Sequence, residues 1–201
     1  MRSFPLELKS ILLLMSSLSS IFIGTFLVLL SLFNQDIKGI IYLAGVTFAT
    51  IINYFLGKTI SPHDPENNEL CHIFNFAENG ANSPSQSSMF IAFTFAYLWM
   101  PMITGGFTNY PLMIVLLTLF VVDTVVRYNS GCSRISGILL GGLVGLLFGI
   151  MWFYLLDFNG LNKLLYFNEL TSNNVVCSKP SKQTFKCSVY KNGQLISSNL
   201  A

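Results

Sequence analysis

The chain has 201 residues, 52% of them hydrophobic and only 10% charged, too few charges to cover a soluble domain of this length. That composition describes an integral membrane protein. Its 11 basic and 9 acidic residues give a net charge of +2, and the basic ones are scattered, which excludes the clustered patch that nucleic-acid binding requires.

Residues 11–33 are an uncharged run long enough to cross a hydrocarbon core of about 30 Å. No small-residue cleavage site follows, so the run reads as an anchor rather than a removable signal. After the polar turn Asn34-Gln35-Asp36, residues 37–57 form a second span, with Lys38 close enough to its start to snorkel. Residues 58–88 are the longest loop between spans and carry both histidines, His63 and His72, with no helical or strand periodicity. A third span covers residues 89–104, where Pro101 is expected to kink the helix or mark its end. Pro111 opens a fourth, residues 111–126, and Arg134 precedes a fifth, residues 135–156. The expected fold is all-α: a polytopic membrane helix bundle of about five transmembrane helices over residues 1–156, followed by a small polar tail, residues 157–201.

In the tail, Lys191-Asn192-Gly193 has the composition of a hairpin turn, with residues 184–190 as one strand. The four cysteines form no CxxC pair, so neither a metal site nor a cofactor is expected. Cys177 and Cys187 could close a disulfide loop if the tail lies on an oxidising side. Lys and Arg are more frequent near the span ends on the N-terminal side, at Arg2, Lys9, Lys58, Arg127 and Arg134, than on the other, at Lys38 and Lys163. Charge bias therefore puts the N-terminus and residues 58–88 in the cytoplasm and the tail outside or in a lumen.

Two patterns lie inside the spans. Asp123 and Arg127 are four apart and share a helix face, which makes an ion pair the natural reading of an acid at the membrane boundary. Gly137, Gly141, Gly145 and Gly149 also recur every four residues, a stripe that lets a second helix approach backbone to backbone. Its partner is either a helix of the same subunit or another membrane protein, including a second copy of this chain.

The loop before the third span and the loop before the fifth share one membrane face, so Lys58, the Pro84-Ser85 corner and Arg134 converge on one boundary. Backbone N–H groups at Gln86 and Ser87 would add partial positive charge there. Together Lys58, Ser85, Gln86, Ser87 and Arg134 form a candidate phosphate seat.

This layout resembles the type 2 phosphatidic acid phosphatase superfamily, membrane enzymes that hydrolyse lipid phosphates and diphosphates. The family carries Lys-x6-Arg-Pro, then Pro-Ser-Gly-His, then Ser-Arg-x5-His-x3-Asp. Here Pro84-Ser85-Gln86-Ser87-Ser88-Met89-Phe90 matches a family-style Pro-Ser-Gly-His-Ser-Met-Phe at five of seven positions, and Ser133-Arg134 opens the third motif. Lys58 stands where the first motif begins, but Pro65 replaces its arginine. The resemblance implies a histidine nucleophile, an aspartate that orients it and a histidine acid; those positions read Leu140, Val144 and Ser87. None of these side chains can attack phosphorus or serve as an efficient general acid, so no catalytic residues are expected. Three functions follow: an inactive relative that scaffolds the membrane or binds phosphorylated lipid, a structural membrane protein of assembly, or a phosphatase with a substitute nucleophile such as His63 or His72.

Overall fold

The computed structural model describes residues 8–60, 84–167, 186–191 and 194–200. Its main unit is a bundle of five helices: α1 (Leu8–Phe33), α2 (Lys38–Ile60), α3 (Gln86–Thr104), α4 (Tyr110–Asn129) and α5 (Ile135–Phe158). All five are long and apolar enough to cross a membrane. The chain is therefore a helical bundle of the multi-pass membrane type.

The α1–α2 connection is a tight polar turn. Ser31 Oγ donates to the backbone carbonyl of Asp36 at 2.7 Å and accepts from the Gly39 amide at 2.8 Å. A Cβ on Gly39 would stand 2.7 Å from Ser31 Cβ, so the two helix ends meet only because that side chain is missing. Lys38 does not snorkel, as its position suggests: it is buried and pairs with Asp36 at 3.7 Å. α4 begins with the expected chemistry, Asn109 accepting from the Leu112 amide at 3.3 Å and Pro111 in its first turn.

The glycine stripe is used inside the subunit, between α5 and α3. Cβ atoms built on Gly141, Gly145 and Gly149 would lie 2.4 Å from the Ser85 carbonyl oxygen, 2.2 Å from that of Met89 and 2.7 Å from that of Phe93. Both helices advance four residues per contact, so they run parallel with backbones almost touching. Gly137 begins the seam: its carbonyl accepts from the Ser85 amide at 3.0 Å.

α2 and α4 flank that seam on different faces of α5. Phe148 and Trp152 meet Phe48 of α2, whereas Gly142 meets Phe120 of α4. Pro101 lies within α3, close to the end at Thr104, where the Thr104 hydroxyl bonds the Met100 carbonyl at 3.1 Å.

The helical unit extends past α5, beyond the expected boundary at residue 156. The chain divides after Thr171, and a 3-10 turn at Asn162–Leu164 returns Leu165 and Tyr166 into the core beside Tyr42 and Tyr97. Leu165 and Tyr166 belong to the short apolar run Leu164-Leu165-Tyr166-Phe167 within the stretch expected to be a polar tail. The Tyr166 hydroxyl donates to the Leu27 carbonyl at 2.8 Å. Burial, reinforced by the nearby Asp36 and partly offset by the adjacent Ser31 side chain, pushes its pKa up to about 12, which keeps it a neutral donor.

The second unit contains an antiparallel pair, β1 (Lys186–Lys191) and β2 (Gln194–Leu200), with Lys191 opposite Gln194 and a register shift between Val189 and Tyr190. Lys191 thus ends a strand rather than starting the turn. Cys177, the expected partner of Cys187, lies outside the described residues.

The seam makes a contrast testable. Gly145→Ala drives a methyl into the α3 backbone and should destabilise the bundle by about 1–3 kcal/mol. Gly142→Ala faces only the end of the Phe120 ring, at 3.1 Å, and should change stability by less than about 1 kcal/mol. Thermal unfolding of the purified variants in detergent reads the difference; equal losses would contradict the seam.

Candidate functional site

α3 begins three residues earlier than its apolar run, at Gln86 rather than residue 89. The polar run Gln86-Ser87-Ser88 is its first turn, and the serines face inward. Ser87 and Ser88 are buried, as is the N-cap residue Ser85. Polar side chains can enter a membrane bundle this way only if partners are waiting.

The partner is Asp123, 1% exposed on α4. Its Oδ1 accepts from Ser16 Oγ at 2.6 Å, Ser87 Oγ at 3.0 Å and Arg127 Nε at 3.0 Å; Oδ2 lies 3.4 Å from Ser88 Oγ. Ser87 has one proton and directs it to Asp123, so Ser20, 2.9 Å away, is the donor to Ser87. Ser88 Oγ is also 3.1 Å from Ser85 Oγ. A single carboxylate thereby ties α1, α3 and α4 together, with its charge balanced by buried Arg127.

This arrangement changes the phosphate seat read from the sequence. The Ser85 and Ser87 hydroxyls point into the knot and the Ser85 amide binds the Gly137 carbonyl. An anion approaching those hydroxyls would meet the Asp123 carboxylate. Gln86 turns toward α2: Asn53 Nδ2 donates to its Oε1 at 2.8 Å and to the Pro84 carbonyl at 3.3 Å, while Gln86 Nε2 reaches Thr50 Oγ1 at 2.9 Å. Lys58 is exposed in the last turn of α2, and Arg134 is exposed as the N-cap residue of α5. The corner is therefore held between the two helices that carry these cations, and its Ser87 hydroxyl is committed to Asp123.

Below Arg134 lies an apolar groove between α3, α4 and α5, with a volume of about 510 Å³. Ile91 and Phe95 line it from α3, Leu117 and Phe120 from α4, and Leu139 and Leu143 from α5. The side-chain-free Gly142 also belongs to its wall. Leu139 is five residues beyond Arg134, about 8 Å along a helix, so the groove begins just inside the boundary that Arg134 marks.

The positions that resemble a histidine nucleophile and its aspartate hold Leu140 and buried Val144 on α5. His63 and His72 lie outside the described residues. No group of His, Cys, Asp and Glu able to hold a metal ion occurs among the described residues. No family model, no curated protein and no solved structure matches the chain.

Sequence reasoning paired Asp123 with Arg127 but missed Ser16, Ser20 and Asn53. A signal was present: Ser16-Ser17 and Ser19-Ser20 interrupt an otherwise apolar span, as Asn53 does in the next, and polar groups at such depth need partners.

The ion pair should act as a unit. Asp123→Leu or Arg127→Leu alone leaves a buried charge uncompensated and should cost about 3–5 kcal/mol. The double variant should recover a large part of that loss. Detergent unfolding midpoints of the three variants test this, and strictly additive losses would show that the two side chains do not act together.

Proposed function

We propose that this chain is a non-catalytic relative of the membrane lipid phosphatases that holds one phosphorylated lipid. The carrying observation is the wholly apolar groove between α3, α4 and α5, which starts one to two turns inside the exposed guanidinium of Arg134. A chain of the lipid lies along Ile91, Leu117, Leu139 and Leu143, and its anionic head group meets Arg134 at the N-terminus of α5. Binding needs no general acid or nucleophile. The absence of phosphoryl transfer follows from Leu140, Val144 and Ser87 standing where the resembled family needs histidine, aspartate and histidine. Lys58 is left on α2, whose contacts with α5 lie on a different face from those of α4, so Arg134 is the principal cation of this reading.

Native mass spectrometry of the protein with phosphatidic acid tests the proposal. Arg134→Ala should weaken retention about tenfold, the equivalent of one charge-assisted hydrogen bond worth about 1.4 kcal/mol. Leu117→Trp, at an exposed groove position, should reduce retention of phosphatidic acid and of an uncharged diacylglycerol alike. Unchanged retention in both variants would refute the site.

A further inference from the structure

α3 and α5 end beside one another at the face opposite Arg134. Each closes on a left-handed glycine, Gly106 (φ 69°) and Gly160 (φ 67°), and each with the same pair of bonds. The Phe107 and Gly106 amides donate to the Met102 and Ile103 carbonyls at 3.1 and 3.2 Å; the Leu161 and Gly160 amides donate to those of Leu156 and Asp157, both at 3.0 Å. Parallel helices that stop side by side bring two negative dipole ends together. Neither has a basic residue in its last turn, whereas α2 and α4, which end on the other face, carry Lys58 and Arg127 there.

Between these ends lies a cleft of about 220 Å³. It opens where the glycine stripe stops: four and eight residues beyond Gly149 stand Phe153 and Asp157, whose side chains exclude the backbone contact made at Gly141, Gly145 and Gly149. Pro101, Phe153 and Leu165 give the cleft an apolar wall, and Asp157, Thr104 and Asn162 bring polar groups to it. The Thr104 proton is directed to the carbonyls of Met100 and Pro101, at 3.1 and 3.3 Å, so its oxygen is left as an acceptor. Among the described residues no ion pair or side-chain hydrogen bond engages the Asp157 carboxylate. Lys163, in the turn that follows α5, is exposed and does not line the cleft.

We infer that this cleft binds a primary ammonium group. An alkylammonium offers three N–H donors and no acceptor, which suits a carboxylate, a hydroxyl oxygen and the amide oxygen of Asn162, while its carbon substituent lies against Pro101 and Phe153. The one carboxylate balances one unit of charge; a calcium ion would ask for about six to eight oxygen ligands. The cleft is smaller than the ~300–1,000 Å³ of pockets for drug-sized ligands, so its occupant is a small amine or the head group of an ethanolamine phospholipid at the membrane boundary. The site lies at the other end of the bundle from Arg134 and does not rest on the lipid-phosphate reading.

Native mass spectrometry of the full chain with phosphatidylethanolamine and phosphatidylcholine of identical acyl chains tests the site, because only the first has N–H donors on its head-group nitrogen. We expect phosphatidylethanolamine to be retained in preference and an excess of ethanolamine to displace it. Asp157→Asn should weaken its retention about tenfold. Thr104→Val, which removes one neutral acceptor from an exposed position, should weaken it about threefold. If the source is a free amine, the two lipids are retained alike and calorimetric titration with ethanolamine shows binding that Asp157→Asn abolishes. Arg134→Ala should leave the preference between the two lipids unchanged, which separates failure of the phosphate site from failure of this one. Equal retention of both lipids with no heat of ethanolamine binding would overturn the inference. So would a preference that survives both Asp157→Asn and Thr104→Val, or calcium bound in place of the amine.

Discussion

The backbone contact between α3 and α5 sets the geometry of everything around it. In lipid, apolar side chains gain little by leaving the bilayer for one another, so close packing and weak Cα–H···O contacts decide which helices associate. Three carbonyl oxygens of α3 occupy the space where Gly141, Gly145 and Gly149 would otherwise carry side chains. That locks the depth of α3 relative to α5 and brings the Pro84-Ser85 corner against Gly137. α2 and α4 then flank the pair, and α4 approaches α5 through Phe120 rather than through a glycine seam. The more open α4 side leaves the apolar groove.

With α3 placed, the carboxylate of Asp123 supplies what its first turn needs. Buried serine hydroxyls are costly without partners, and Asp123 accepts from Ser16 and Ser87 while Arg127 balances its charge. A buried ion pair is weak grounds for stability in itself. Its clearer role is specificity: with Ser20 donating to Ser87, it fixes α1 and α4 against one particular turn of α3. The resembled family would place a catalytic acid where Ser87 stands. Here that position belongs to a structural network that ties α1, α3 and α4 together.

Much of the fold was legible because uncharged length and glycine spacing are local signals. All five spans were found, and the four-residue glycine repeat correctly marked a backbone seam, although its partner helix was left open. Boundaries failed where polar residues continued a helix inward: Gln86-Ser87-Ser88 read as loop until Asp123 accounted for them. Leu165 and Tyr166 were missed although they lie in the apolar run Leu164-Leu165-Tyr166-Phe167, which is too short to read as a span. In the site, the i,i+4 spacing revealed Asp123 and Arg127, but Ser16 lies 107 residues from its carboxylate partner, and no periodicity spans that distance. The direction of the Ser87 hydroxyl, which is turned to Asp123, is a tertiary property.

The central claim is that one lipid occupies one groove. The most direct measurement is photo-crosslinking with phosphatidic acid carrying a diazirine in its acyl chain, followed by peptide mapping of the adducts. The account predicts adducts concentrated on Ile91, Phe95, Leu117, Phe120, Leu139 and Leu143, diminished by an excess of unlabelled phosphatidic acid. Adducts spread over the exposed apolar faces of α1 and α2 as well, and insensitive to that competitor, would mean that the protein merely sits in lipid and holds none of it.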